Sequence, residues 1–440
     1  MTSLLGNYNE CIIEQATIVT NDERKFDIFP YITGYGISES IESSALHGWV
    51  TIIDTVGVLE KIPLMGEETL LFSLRGLDFD TEKKIVGFVY KINDVRALEN
   101  SSGTAYTLHF VTKMSFLSSA RIVTASFNEP VHDIVMNVFD QTYDKIKKVD
   151  VFEDETNEFD LSDGRKLVIE RTQDNLRCLI PTYTPSETLY FLSSRAYSDL
   201  SPSCMFRFFE TTSGYNFVTD EWLIKNAIEK DLIKSVEWSQ SVTIGPSEIE
   251  KQRYKLTKFH NDLRVDTAND LYSGGYASSA IIIDFLQKKV ENFQFKYVND
   301  AEFTSTKGTR EKNLRHSREF VNSVFNDENE RKILIFKDYD SRGEAQLKGD
   351  EKIPQIALRK MSYNHMIMST SMNASMSGRL DISAGDVLNV KIPELQTTDE
   401  REENFQLSGN FLVHSVIHTV EGRELKTDMK LIKFGWERSV

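Results

Sequence analysis

The sequence predicts a β-rich α+β protein, and three observations carry that prediction. The first 120 residues are a succession of short β-branched and aromatic runs parted by turn residues. Residues 378 to 436 hold three more such runs. Between these ends, segments with helical spacing alternate with further strand-like runs.

Taken in order, Gly48-Trp49-Val50-Thr51-Ile52-Ile53-Asp54 is β-rich, and Thr69 to Gly76 follows a Leu64-Met65-Gly66-Glu67 turn. Ile85 to Val95 and Ala105 to Val111 are two more strands, joined by the Asn100-Ser101-Ser102-Gly103 loop. Strands at this spacing predict an antiparallel barrel or sandwich. Gly34-Tyr35-Gly36-Ile37-Ser38-Glu39 lacks the third glycine and the following helix of a nucleotide loop, so it reads as a turn.

Character changes beyond residue 120. Glu129 to Phe139 has helical spacing with Pro130 near its first turn. Asp150 to Asp163 holds seven carboxylates and no base, and reads as a solvated loop. Thr184-Pro185-Ser186-Glu187 opens a helix capped by Thr184 or Ser186. Strands Cys204 to Glu210 and Tyr215 to Thr219 follow, so 121–235 reads as a mixed α/β insertion.

From residue 236 onward, Glu248 to Phe259 fits a strand or a helix. Gly274-Gly275 breaks the pattern, and Ser279 to Leu286 resumes it. Lys307, Arg310, Lys312, Arg315 and Arg318, set against Glu311 and Glu319, read as a solvated or charge-paired face, with docking onto an acidic partner as the alternative. Met366, Met368, Met372 and Met376 share one parity. They predict a long strand from about Asn364 to Leu380, after a helix-like turn following Pro354, with the methionines packing in a core or, alternatively, at a subunit interface. An Ala384-Gly385-Asp386 turn, a polar loop from Pro393 to Ser408 and a Glu421-Gly422-Arg423 hairpin turn then join the last β-patterned runs.

Composition bounds the function. With 51 basic and 67 acidic residues, the formal charge is −16, which argues against a dedicated nucleic-acid binder. It suits DNA in transit, because a like-charged wall does not hold phosphate. Cys11, Cys178 and Cys204 are far apart and odd in number, so a reducing assembly site is expected. The start shows no signal peptide, and no apolar run is long enough for a spanning helix, so no membrane insertion is expected.

No motif survives a chemical test. His414 and His418 have zinc-helix spacing, but the run around them is β-branched. On a strand they lie roughly 13 Å apart, too far for one ion. Asp338-Tyr339-Asp340-Ser341-Arg342-Gly343 starts like a calcium loop, yet puts Arg342 and Gly349 where oxygen ligands belong. There is no P-loop and no nucleophile elbow, and Cys178 has no histidine that sequence can pair with it. No catalytic, cofactor-binding or metal residue is assigned, no cofactor is expected, and the chain reads as no enzyme.

Several segments, in collinear order, resemble the tail-hub family of contractile-tailed bacteriophages. That family includes the late-control-type hubs and is related to the hub part of spike-bearing secretion proteins. The segments are Ile52 to Asp54 with Pro63 to Leu70, Phe116 to Phe139, Thr184 to Leu223, Ile353 to Ile392, and Gly378 to Leu431. Residues 236–350 match least.

The resemblance implies two antiparallel tube-like β-barrels around a mixed α/β inserted domain. The first barrel would span 1–120, the insert 121–235, and the second barrel with additional hub elements 236–440. It implies a structural baseplate hub in the virion tail, assembled in the host cytoplasm. This homotrimer would join the sixfold tail tube ring to the threefold central spike protein. Its other expected partners are the tape measure protein, baseplate (wedge) proteins, and DNA only in transit through the lumen. An inner wall that is net acidic, or at least not basic, is expected. The alternatives are a hub-like cell-wall hydrolase or a carbohydrate-binding tail-fibre protein; the absence of a catalytic constellation and of repeats counts against them.

Overall fold

The computed structural model describes residues 10–58, 64–76, 81–98, 103–144, 156–173, 175–198, 201, 203–238, 254–263, 268, 272–296, 323–324, 331–336, 353–368, 370–394, 403–404 and 407–433. The basic segment Lys307 to Arg318, the Asp338 to Gly343 motif, Asp150 to Glu155 and Glu248 lie outside them.

The first part is β1 (Cys11–Val19), β2 (Lys25–Asp27), β3 (Ile32–Ser40), β4 (His47–Asp54), β5 (Thr69–Gly76), β6 (Thr81–Ala97), β7 (Thr104–Thr112) and a short helix α1 (Lys113–Ser118). Alternation builds these strands. In β4, Gly48, Val50, Ile52 and Asp54 are buried while the residues between them are half-buried. Gly34 to Glu39, expected as a turn, is the body of β3. Its glycines serve packing: the Trp49 ring lies across Gly36, where a Cβ would meet ring carbons at 2.1 Å.

The insert holds β8 (Val123–Pro130), α2 (Val131–Thr142), β9 (Thr156–Asp160), β10 (Lys166–Glu170), β11 (Asn175–Tyr183), α3 (Pro185–Arg195), β12 (Phe206–Thr211), β13 (Gly214–Thr219) and α4 (Asp220–Glu229). α2 buries Val131, Ile134, Val135, Val138 and Phe139, an i, i+3, i+4 stripe. Thr184 caps α3 in a capping box with Glu187, and Pro185 occupies the first turn. The carboxylate-rich stretch is only partly loop. Thr156–Asp160 is β9, the outer strand of a four-stranded sheet ordered β12-β13-β10-β9. Its charges sit on that outer edge, where they discourage pairing with another chain.

The last part comprises β14 (Lys234–Glu237), β15 (Leu256–Leu263), β16 (Ala277–Asp284), β17 (Lys289–Lys296), β18 (Arg331–Phe336), α5 (Ile353–Met368), β19 (Thr370–Ser377), β20 (Val387–Lys391), β21 (Gly409–Glu421) and β22 (Glu424–Ile432). The long strand expected from Asn364 is corrected here: helix continues to Met368 and the strand starts at Thr370. Packing decides it. Leu358, Tyr363 and Ile367 are buried at helical spacing, and Lys360 and Ser362 bond to carbonyls of neighbouring segments. Met366 and Met368 therefore belong to α5, whereas Met372 and Met376 are fully buried on β19 in a core.

The main sheet has 13 strands, ordered β15-β19-β22-β21-β3-β4-β7-β6-β5-β1-β2, with β20 and β14 branching from β21. Strands of both ends hydrogen-bond in one sheet through β3 and β21, so the two expected units share a wall. The cause is the length of β21. Gly409 to Leu412 pair with β20, a bulge intervenes at Val413/Ser415, and Ser415 to Glu421 pair with β3. Among the described residues neither end closes through a ladder; isolated bridges Glu237–Lys255 and Glu10–Glu424 stand at the seams.

The two ends nonetheless share one connectivity. The order β3-β4-β7-β6-β5 in the first part repeats as β15-β19-β22-β21-β20 in the last. Bulges fall at matching points: Ile32/Gly34 against Leu256/Lys258, and Val89/Lys91 against Val413/Ser415. Each end has its own apolar core.

Candidate functional site

The feature that joins all three parts is the seam between β3 and β21. Beneath it lies a buried polar knot. Glu39 of β3 points inward, is fully buried, and accepts hydrogen bonds from Lys83 Nζ of β6 (3.1 Å), the Ala384 backbone N–H (3.1 Å) and the Thr212 backbone N–H (3.2 Å). Lys83 Nζ also reaches Ser383 Oγ (3.3 Å) and the Ile382 carbonyl (3.4 Å). One carboxylate therefore fixes the first part, the β12–β13 turn of the insert, and the 382–384 turn of the last part. Burial alone raises the Glu39 pKa, but Lys83 and the other donors outweigh it and hold the group below the usual carboxylate value.

His418 completes the knot. Its Nε2 lies 2.9 Å from the Ile382 carbonyl and 3.3 Å from Lys83 Nζ, and its Nδ1 lies 3.2 Å from Thr427 Oγ1. Burial, helped by Lys83, pushes its pKa down to about 3, so the ring is neutral at pH 7. A folded-state pKa below the unfolded 6.5 means that the folded chain binds fewer protons. Stability is therefore lost as pH falls from 6.5 toward 3, by about 1.4 kcal/mol per pH unit in that window. Acid titration of urea stability between pH 6.5 and 5 should show this slope, and His418→Gln, which stays neutral, should remove it. An unchanged slope in the variant would refute the assignment.

Two further ion pairs lie within the insert beside the seam. Arg165 Nη1 donates to Glu210 Oε1 (2.6 Å), and Glu210 also accepts from Thr112 Oγ1 and the Leu46 N–H. Arg207 grips Asp220 in a two-pronged contact, Nε to Oδ1 at 2.6 Å and Nη2 to Oδ2 at 3.0 Å, with Glu42 3.5 Å from Nη1. Arg207 and Asp220 are both buried. Burial works against the Arg207 charge, but Asp220 more than offsets it and raises the guanidinium pKa.

On the opposite side of the seam, eight strands from β15 to β6 present one continuous open face. It carries Ser38, Ser40, Thr51, Thr107, Ser375 and Ser415 among partly exposed residues. Its charges are of both signs: Lys91, Arg96, Lys258 and Lys430 beside Asp428, with Glu421 and Glu424 at the hairpin end.

His414 and His418 do lie on a strand, as the β-branched run predicts. His414 is the bulged residue and His418 lies in regular ladder, so their surroundings differ: His414 Nε2 lies 3.3 Å from Glu42, while His418 belongs to the knot. Among the described residues no three His, Cys, Asp or Glu side chains gather as a metal site. Cys11, Cys178 and Cys204 are buried thiols, and burial raises all three pKa values. Among the described residues no helix is long and apolar enough to cross a membrane. Sequence reasoning missed the knot. Its one signal was a charged residue at an inward position, Glu39 in β3 and Lys83 in β6.

No family model matches the sequence, and no curated protein matches it either. Solved structures do. A tail protein from Neisseria meningitidis MC58 is 9% identical, with 95% of this chain and 96% of that chain covered at a TM-score of 0.51. The 43 kDa tail protein of prophage MuSo2 from Shewanella oneidensis is 10% identical, with 95% and 98% covered at a TM-score of 0.50. At such identities the likeness is one of fold, and this chain has, over nearly its whole length, the fold of those two tail proteins.

Proposed function

We propose that the chain is a structural baseplate hub of a contractile tail, with a first tube-like barrel in 1–120, an insert in 121–235 and a second barrel with added elements in 236–440. One observation carries this reading. Two units of like connectivity are joined edge to edge in a single sheet. A homotrimer of such chains presents six like units around an axis, which matches a sixfold tube ring on one side and a threefold spike on the other. The likeness in fold to two tail proteins supports the same reading.

On this account the open face of the eight strands lines the channel through which tape measure protein and then DNA leave. That lining is rich in hydroxyls and mixed in charge, with acids and bases interleaved. Mixed charge with few fixed anchors still lets a polyanion pass without being held. The insert, tied to the first part by Glu39 and Glu210, sits outside that wall, where spike and baseplate partners would be met.

The test is mass in solution. Light scattering of the purified chain, alone or with its spike, should give three times 50.5 kDa, about 151 kDa. A chain that stays monomeric in the presence of the spike would refute the hub reading.

A further inference from the structure

We propose that the outer face of the small sheet β17-β16-β18 is a docking surface for an amphipathic helix of another baseplate protein, one whose apolar stripe is flanked by carboxylates. This rests on the hub reading above and names the chemistry of one of its partners.

The residues of this sheet call for cover on two faces, and the chain supplies it on one. β16 contains the run Ala280-Ile281-Ile282-Ile283, and β18 contains Ile333-Leu334-Ile335-Phe336. The two strands are parallel neighbours. Unbroken apolar runs in a parallel pair are the pattern of strands with helices on both sides. On the inner side that helix is α5: Ala280, Phe293, Phe295 and Ile333 share a core with its Leu358, Tyr363 and Ile367. On the outer side Ile283 stands opposite Val290, and Ile281 opposite Leu334. Ile281 and Ile283 are half-buried, whereas Val290 and Leu334 are 66% and 60% exposed. Leu286, in the turn between β16 and β17, is exposed as well. That turn is fixed by the Gln287 N–H, which donates to Asp284 Oδ1 at 2.8 Å. A contiguous apolar patch of this kind marks a place where another protein sits.

Shape, charge and elimination choose the occupant. A helix already lies on the inner face, and a second helix with apolar residues three and four apart fits the outer one in the same way. The three strands and the β16–β17 turn carry Lys288, Lys289, Lys296, Arg331 and Lys332 against only Asp284 and Glu291, in a chain whose net charge is −16. Lys289 is paired with Glu291, and Asp284 is buried, so the surplus beside the patch is positive. It suits a helix with acids flanking its stripe. A second copy of this chain has no such helix to offer among its described residues. The stripes of α2 and α3 are packed in the core of the insert, and those of α4 and α5 in the core beneath this sheet. The occupant is therefore a different protein. Lys360 of α5 donates to the Ser193 and Ser194 carbonyls of α3 (3.1 and 2.9 Å), which fastens the sheet to the insert, the part that the hub reading sets outside the channel wall.

Purified tails in which the full-length chain carries Leu334→p-benzoylphenylalanine, once irradiated, should yield this chain joined to another tail protein. The joined peptide, read by mass spectrometry, should have apolar residues three and four apart and more acids than bases. Adding Val290→Asp should cut that product by about tenfold or more, because it sets a charge against the apolar stripe. The trimer mass and melting temperature should stay those of the parent, since Val290 lies on the surface. Should the Leu334 variant fold poorly, the photoprobe moves to Val290 and the aspartate to Leu334. A product made of two copies of this chain, a joined peptide without the stripe or with a surplus of bases, or no product from either position would overturn this docking surface and leave the hub reading standing. A chain missing from the tails altogether would overturn both.

Discussion

Replacing Lys83 by Met lowers stability by about 3–5 kcal/mol, the usual loss when one partner of a buried ion pair is removed. Lys83 and Glu39 are 4% and 0% exposed, so water cannot take the place of the ammonium group. Glu39 must then either stay charged without its counter-ion or take up a proton, and a protonated acid is a poorer acceptor for the Ala384 and Thr212 N–H groups. Because those two groups belong to the last part and the insert, the loss loosens all three parts together. The urea midpoint should fall with an unchanged slope. Adding Glu39→Gln to Lys83→Met should restore part of the loss, since a neutral amide still accepts one of those bonds. A Lys83→Met chain within about 1 kcal/mol of the parent would refute the role given to the knot.

Replacing Arg207 by Met should have an effect of similar size, again about 3–5 kcal/mol, for a related reason. Asp220 is fully buried at the start of α4, and both of its oxygens are engaged by Arg207. Helix N-terminal N–H groups help a carboxylate there, but by only about 1 kcal/mol, too little to replace a two-pronged guanidinium. This loss should stay local to the insert, so hydrogen exchange ought to rise in β12, β13 and α4 while the 13-stranded sheet keeps its protection. Equal loosening of the main sheet would show that the insert does not open as a cooperative unit of its own.

The strands that the sequence announces clearly are those with one buried face and a turn at each end. Thr69–Gly76 was legible to the residue, and His47–Asp54 and β13 nearly so, because alternation and flanking glycines agree there. The capping box at Thr184 was legible for the same reason, being a local signal. Two kinds of element were not. Gly34 to Glu39 looked like a turn because glycine usually punctuates, whereas here Gly36 makes room for Trp49 on the next strand. Asn364 to Met368 looked like a strand because methionine parity fits two periods, and only contacts with β16 and α3 choose the helix. The seam and its knot depend on pairs far apart in sequence, such as Glu39 with Ala384, which no local pattern encodes. The shared connectivity of the two ends was equally hidden, since what repeats is strand order and bulge position, while the residues differ.

The central claim is that each chain supplies two like units to a closed ring. Single-particle images of the purified assembly, viewed down its axis, test it most directly. A ring of six lobes from three chains around an open bore is expected. A compact particle without a bore, or a ring whose lobes number other than six, would contradict it.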